Sequence, residues 1–426
     1  MTNWLSRSAL PARTAVTGAA ATLAATLAIT APAAADDIRI GIPTAQSAAA
    51  GVADHTDWLN GANMAIEAIN AAGGVNGRML RAEVVDIDIM SPEGTVGAFQ
   101  NVVERGVHAI INSFVLIPQP AMDVAAAAGV PYMHGNTSFA SVDLVEQNPE
   151  RYRNIFMIDP DETWYGYGFI RYLDRLVDAG QWEPANRRIH IVQEQIAYTQ
   201  VISQAAQRAI AESDGAWELA AVTDIQFPVQ DWTPVINALQ AEGAGVVFIS
   251  HWVAAELAAF AQQFAFNPVP DSLVYLQYGP SQPEFLDLAR GAGEGMIWGT
   301  VLGTPRSEAG VEFREAYMAL HGDNMGEVYT ASSWDTVHML ARVWEEVDPD
   351  DFDAVGNAIR ALRHEGISGT YTFDRPQQRP LGYPWETDDL SEGIPHLIYQ
   401  VQDNRHTIIL PEPLAEAEYR QPHWAR

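Results

Sequence analysis

Neither cysteine nor lysine occurs anywhere in this 426-residue sequence. The first absence excludes disulfides, thiolate metal sites and the cysteine that carries a bacterial lipid anchor. The second excludes a phosphate-binding P-loop and a Schiff-base lysine. All 24 cationic residues are therefore arginine, and 54 acidic residues leave a formal net charge of −30. A surface of that sign repels nucleic acid and anionic lipid. It reads as a solvated coat suited to solubility or to salt rather than as a recognition patch.

Catalytic motifs are missing as well. The 11 histidines form no HExxH pattern and no close pair. Gly291, Gly293 and Gly295 do not follow a strand at the start of a βαβ unit, so they form no dinucleotide fingerprint. No G-x-S-x-G elbow is present. Asp86 and Asp88 end a strand, where carboxylates commonly cap the next helix. No catalytic group, metal site or cofactor is expected, and a hydrolase reading lacks an activated nucleophile.

Long apolar runs are confined to the N-terminus. In residues 1–35 the only charges are Arg7 and Arg13, residues 16–29 are small and apolar, and Ala33, Ala34 and Ala35 precede Asp36. A positive, then apolar, then A-x-A order is that of a secretory signal, and this apolar core is shorter than the roughly 20 residues that span a bilayer. The expectation is a cleaved leader over 1–35 and an exported, soluble chain, two charge units more negative once Arg7 and Arg13 leave. Without disulfides or a lipid anchor, such a chain fits a Gram-negative periplasm, with no membrane insertion after cleavage.

What is present is a regular alternation. Ile38, Ile40 and Ile42 form a strand pattern, Ala62, Ala65, Ile66 and Ile69 recur with helical spacing, and residues 83–89 are again strand-like. This βαβ unit builds a parallel sheet whose ligands sit beyond the carboxyl ends of the strands, which directs attention to the loop 43–57. Further strands are expected at 108–114, 130–134 and 155–158. A second series follows, with strands at 188–193, 219–225, 245–250, 273–278 and 296–302 alternating with helices. Helices over 311–320, 331–346 and 352–363, an irregular stretch and a hairpin over 396–410 complete the chain. The length exceeds one ordinary core, so the reading is α/β, two doubly wound parallel-sheet lobes joined by a multi-strand hinge. Lobe 1 is expected from 38–157 plus 303–390, and lobe 2 from 158–302 plus 391–415.

The strings NGANMAIEAINAAGGVNGRML, QPAMDVAAAAGVPYM, QEQIAYTQVISQAAQRAI, DWTPVINALQAEGAGVVFIS and GEGMIWGT, in this order, resemble the periplasmic solute-binding proteins of branched-chain amino acid and amide ABC importers. The resemblance covers roughly residues 38 to 410 and implies a type I two-lobe receptor. Such a receptor closes around one small-molecule ligand and hands it to a permease and ATPase complex at the inner membrane, with no bond chemistry. A monomer is expected. The alternatives are a ligand-sensing subunit of the same fold and, less favoured, a periplasmic α/β hydrolase.

Carried over residue by residue, the resemblance implies a pocket containing Asp54 and His55 after the first strand, Phe114 and Val115 in the third unit, and Asn136 and Thr137 in the fourth. Its second half contains Tyr198, His251, Trp252, Tyr278 and Tyr329, with Trp334 a further candidate on the same helix as Tyr329. This chain departs from the family at two points. Phe114 to Ile117 stand where amino-acid binders present serines to a ligand carboxylate, and Gly279 to Gln282 stand near the acidic residue that meets an α-ammonium. The implied ligand is a neutral or aromatic small molecule in preference to an aliphatic amino acid.

Overall fold

A computed structural model describes residues 36–425; the expected leader lies outside the described residues. The first sheet is made of β1 (Ile38–Thr44), β2 (Leu80–Asp86), β3 (Ala109–Asn112), β4 (Tyr132–His134) and β5 (Ile155–Met157), in the order β2-β1-β3-β4-β5. Every pairing is parallel. β3, β4 and β5 are buried throughout, and β1 exposes only Arg39, which is why these segments read as near-continuous apolar runs. Connecting the strands are α1 (Val52–Ala71), α2 (Pro92–Glu104), α3 (Pro118–Ala128) and α4 (Phe139–Gln147).

The chain then enters α5 (Thr163–Asp178) and a second sheet. Its parallel strands are β6 (Arg188–Glu194), β7 (Glu218–Ile225), β8 (Val246–Ser250), β9 (Leu273–Tyr275) and β10 (Ile297–Thr300). Between them run α6 (Ala197–Ala211), α7 (Thr233–Glu242), α8 (Ala254–Phe266) and the short α9 (Glu284–Ala289). α10 (Glu308–His321), α11 (Tyr329–Glu346) and α12 (Phe352–Ala361) follow, and α11 packs on α1 of the first lobe. Two small sheets come next, β11 (Arg363–Glu365) with β12 (Thr370–Thr372) and β13 (Leu381–Tyr383) with β14 (Gly393–Pro395). The hairpin β15 (Leu397–Gln402) and β16 (Arg405–Leu410) adds antiparallel to β10, giving the order β16-β15-β10-β9-β8-β6-β7.

In each lobe the strand order reverses once, between β1 and β3 and between β6 and β8. A doubly wound sheet leaves its crevice beyond the carboxyl ends at that reversal. The two-lobe α/β expectation is therefore met. Among the described residues no helix is long and apolar enough to cross a membrane.

Four details differ from the expectation. α1 begins at Val52, so Asp54, His55 and Asp57 lie inside a helix and are buried, not in a loop running to residue 57. β2 covers Leu80–Asp86, three residues earlier than the expected strand. β9 stops at Tyr275, and the chain turns through Gln277, at φ 45°, before a 3-10 turn at Gly279–Ser281. The stretch read as irregular contains the two small sheets, held by polar contacts: Asp335 of α11 accepts from the Ile367 and Ser368 amides and the Tyr371 hydroxyl, and Gln378 bonds the Tyr152 and Ile155 carbonyls beside β5.

The crossings between lobes are tied by buried ion pairs. Arg379 reaches Asp161 at 2.9 Å and Glu386 at 2.8 Å, joining the first crossing to the last. Arg306, after β10, and Arg314 both hold Glu327, at 2.9 and 2.7 Å. Burial alone would raise the Glu327 pKa, but the two guanidinium groups outweigh it and hold the carboxyl down at about 2. Removing one partner of such a set leaves an uncompensated buried charge.

Attachment of α11 to α1 depends on Gly61, where a Cβ stands 2.0 Å from the Thr330 carbonyl oxygen and 2.3 Å from Ser333 Oγ. Neither neighbour is the far end of a flexible side chain. Gly61→Ala is expected to lower unfolding free energy by at least about 1 kcal/mol, the lower end for overpacking. Urea unfolding measures this, and an unchanged midpoint would mean that the two helices separate freely.

Candidate functional site

The carboxyl ends of the two sheets enclose a cavity of about 110 Å³. This is the scale of a single small guest, given that an engineered cavity of about 150 Å³ binds benzene. From the first lobe it is lined by Phe114, Val115, Leu116 and Pro118 after β3, and by Asn136, Thr137, Ser138 and Ala140 after β4. Glu162, in the crossing that leads into α5, lines it as well. From the second lobe come Ala197, Tyr198 and Val201 at the start of α6, Trp252 after β8 and Tyr278 after β9, while Tyr329 enters from the start of α11. Phe114 stacks on Tyr329 with ring centroids 5.8 Å apart and meets Trp252 edge-on at 6.1 Å.

Eight of the anticipated residues line this space: Phe114, Val115, Asn136, Thr137, Tyr198, Trp252, Tyr278 and Tyr329. Asp54, His55 and His251 do not. Asp54 lies behind Tyr278 and accepts from its hydroxyl at 2.5 Å and from Gln282 Nε2 at 2.6 Å, so it bridges the lobes. His55 packs its ring 4.8 Å from that of Phe114 and supports the wall from behind. His251 is buried between Glu194 and Glu256, with Nδ1 and Nε2 at 2.8 and 3.0 Å. Trp334 faces away, packed on Phe313 and His338. Ala197, Val201 and Ser138 were within reach of sequence reasoning as neighbours of Tyr198 and Thr137. Glu162 carried no signal beyond being an acidic residue in a crossing.

The loops are built from within. The hydrogen-bond network assigns Gln277 with its amide nitrogen 3.1 Å from the His251 carbonyl, its oxygen accepting from the Tyr198 hydroxyl at 3.1 Å and the Tyr278 amide at 3.2 Å. One side chain thus joins all three second-lobe contributors. Across the cavity Asn136 Oδ1 accepts from the Val115 amide at 2.7 Å, the Thr137 hydroxyl donates to Asp159, and Glu162 accepts from the Phe139 amide. Thr137 and Gln277 are non-glycine residues with φ of 49° and 45°. A β-branched residue there is a conformational outlier, of the kind that gathers at ligand sites.

A family profile described as periplasmic binding protein matches residues 37–383. A curated relative, the leucine-, isoleucine-, valine-, threonine-, and alanine-binding protein of Pseudomonas aeruginosa, is 24% identical over 344 residues, 80% of this chain and 87% of that protein. A solved structure from Silicibacter pomeroyi, provisionally described as a branched-chain amino acid ABC transporter, is 31% identical with a TM-score of 0.83, covering 91% of this chain and 100% of that one. A solute-binding protein of an ABC transporter from R. palustris, in complex with benzoate, is 12% identical with a TM-score of 0.70, covering 91% and 99%; that likeness is one of fold alone.

Burial sets the charge states around the cavity. It pushes Asp54 up to about 6, Asp57 to about 7 and Asp159 to about 8. It pushes the His55, His134 and His396 imidazoles down to about 3. His251 differs: burial opposes its charge, but the bonds to Glu194 and Glu256 prevail and raise it above the ordinary value. Groups with raised values contribute stability that is complete below their unfolded pKa and lost as pH rises through the folded one. The lowered histidines act in reverse, losing stability as pH falls below about 6.5, their ordinary value. The melting temperature is therefore expected to peak near pH 6 to 6.5 and to fall toward about pH 9, as Asp57, Asp159 and His251 lose their protons. Asp159→Asn should flatten that alkaline limb in a thermal-melt series. A melting temperature that climbs steadily from pH 7 to 9 would contradict these charge assignments.

Proposed function

We propose, for a chain that belongs to the periplasmic binding protein family, the role of extracytoplasmic receptor of an ABC importer that closes two lobes around a small solute. Membership in the family of branched-chain amino acid ABC transporter binding proteins makes this a binding protein and not an enzyme. The reading adds a periplasmic location after removal of residues 1–35, delivery to a permease and ATPase complex at the inner membrane, and action as a monomer. The lobes are taken as 38–157 plus 303–390 and 158–302 plus 391–415.

The solute class we propose is a neutral or aromatic small molecule, bound in preference to an aliphatic amino acid. One observation carries it: Phe114, Tyr198, Trp252, Tyr278 and Tyr329 wall the cavity, and among the described residues no cationic side chain lines it. A free α-carboxylate buried without a cation costs several kcal/mol, whereas flat apolar faces stack readily on aromatic walls. Leucine, isoleucine and threonine binding is a property named for the Pseudomonas relative, and benzoate for the R. palustris protein; they mark the range open to the fold.

Closure follows from differential affinity. A guest that touches Trp252 and Phe114 together gains both contacts only when the lobes meet, and this difference shifts the population toward the closed form. The Asp54 bonds to Tyr278 and Gln282 form in the same movement.

Thermal-shift screening against aliphatic amino acids and a pool of small neutral and aromatic compounds tests this reading, since a ligand of the folded state raises its melting temperature by mass action. Large shifts with leucine, isoleucine or valine and none with the pool would overturn the solute class and leave the receptor role. Silence from every compound, with no solute co-purifying in native mass spectrometry, would overturn the role. Tyr198→Ala is expected to weaken binding of the best hit by at least about 1 kcal/mol, a common cost of losing a buried contact. Unchanged affinity in calorimetry would remove Tyr198 from the site.

A further inference from the structure

Asp54 and Asp57 lie one turn apart near the start of α1 and are 5% and 4% exposed. Both carboxyls face groups from outside the helix. One oxygen of Asp54 accepts from the Tyr278 hydroxyl at 2.5 Å and from Gln282 Nε2 at 2.6 Å, both in the segment that follows β9 of the second sheet. Asp57 accepts from the Tyr317 hydroxyl of α10 at 2.6 Å and from the Gly326 amide at 3.1 Å. At Gly326 an added Cβ would stand 2.2 Å from Asp57 Oδ2 and 2.8 Å from Gln282 Nε2, so the three segments meet without a gap.

Every donor in this set is neutral. Two phenols, one side-chain amide and one backbone N–H serve two carboxyls, and among the described residues no cation bonds either of them. Arg306 and Arg314 are spent on Glu327, next to Gly326. His55, on the same helix, is turned onto Phe114 and held neutral by burial, and His321 at the end of α10 lies with its ring 4.7 Å from that of Tyr317. The other ionisable neighbours, Glu284 and the phenols of Tyr278, Tyr317 and Tyr329, bring negative charge or none. Two like charges shut in together without a counter-ion are unfavourable, and a proton on one carboxyl removes the conflict. Burial accordingly pushes Asp54 up to about 6 and Asp57 to about 7.

We infer that closing the lobes takes up a proton at the Asp54–Asp57 pair, so that acid favours the closed receptor and alkali the open one. This rests on the receptor reading above and adds a control that the solute does not supply. Tyr278 and Gln282 belong to the lobe that moves away, so opening strips Asp54 of its donors and admits water, and a hydrated carboxyl returns toward its ordinary value of about 3.9. The raised values belong to the closed form. Its advantage is therefore complete below about pH 4 and is lost as pH rises through about 6 to 7.

Because the chain has no cysteine, a dye pair can be attached through Ile117→Cys, on the exposed rim after β3, and Gln204→Cys, on the exposed face of α6. Single-molecule energy transfer then counts closed and open molecules without added solute, at fixed ionic strength. From pH 5 to pH 8 the closed-to-open ratio should fall at least about tenfold. Asp54→Asn keeps an oxygen for Tyr278 and Gln282 and cannot ionise, so at pH 8 its ratio should exceed that of the wild type at least about threefold. With Asp57→Asn added, the ratio should stay within about threefold over the whole range. Circular dichroism checks that both variants fold. A wild-type ratio that stays within threefold, that rises with pH, or that cannot be formed because one population persists at every pH overturns the inference, whether or not the variants fold. So does a folded double variant that keeps the wild-type fall. The receptor role is judged separately, by the ligand screen and native mass spectrometry.

Discussion

A polar group that folding removes from water is costly without a partner inside, and several of those around this cavity find theirs in another part of the chain. Asp54 of α1 accepts from Tyr278 and Gln282 of the second lobe, and Tyr329 of α11 donates to the carbonyl of Gly135 after β4. Thr137 and Glu162 bind across the first crossing in the same way. Apolar surfaces alone slide over one another, because their attraction has no direction. Directed bonds with short distances fix one register, so the lobes meet in one arrangement and the aromatic walls are set opposite each other.

The same constraint explains the crossings. A hinge has to bend without losing its charges to water, and Arg379 and Arg306 each have more than one carboxylate or carbonyl partner. Arg379 bonds Asp161, Glu386 and the Pro380 carbonyl, and Arg306 bonds Glu327 and the Thr304 carbonyl. Multiple partners keep an ion satisfied while one contact shifts. The helical part of the hinge is held differently, by the close approach of α11 to α1 at Gly61, and this keeps Tyr329 at the cavity wall. In the closure we propose, the two lobes move about tied crossings, with α11 riding on the first.

Much of this was legible in the sequence, for a physical reason. Parallel strands buried on both faces must be apolar along their length, so the strings around β1, β3, β6 and β8 announce themselves. Helices with one buried face do the same through their spacing. Strand ends at the reversal of the sheet order bring ligand-facing residues together, and this is why Phe114, Asn136, Trp252 and Tyr278, which the family resemblance pointed to, stand at such ends. The misreadings fall where burial and polarity conflict. Asp54, His55 and Asp57 look like a solvated loop, yet they lie in the first turns of α1, where Tyr278, Gln282 and Tyr317 supply partners to the two carboxylates from distant segments and His55 packs on Phe114. Those partners lie more than 200 residues away, beyond the reach of any local pattern. His251 was chosen for its chemistry and its strand end, but the carboxylates on both its nitrogens turn it into a support for Trp252 and Gln277. Glu162 is the converse. Its neighbours are acidic and its role depends on how the crossing turns it toward the cavity.

Charge acts at two ranges in this molecule, and both act in one direction. A net charge of −30 on a lysine-free chain lowers the local concentration of anionic solutes and raises that of cations, an effect that salt screens within about 8 Å under physiological conditions. At contact range the cavity repeats the bias with a single carboxyl and no guanidinium. The shorter range decides selectivity, because a surface potential cannot tell one small ion from another, whereas each polar group buried against a cavity wall must be matched there or cost several kcal/mol of desolvation. Burial pushes the Glu162 pKa well up, and the nearby carboxylates add to this, so the neutral carboxyl is favoured and the wall of the cavity carries less charge than its residue types suggest.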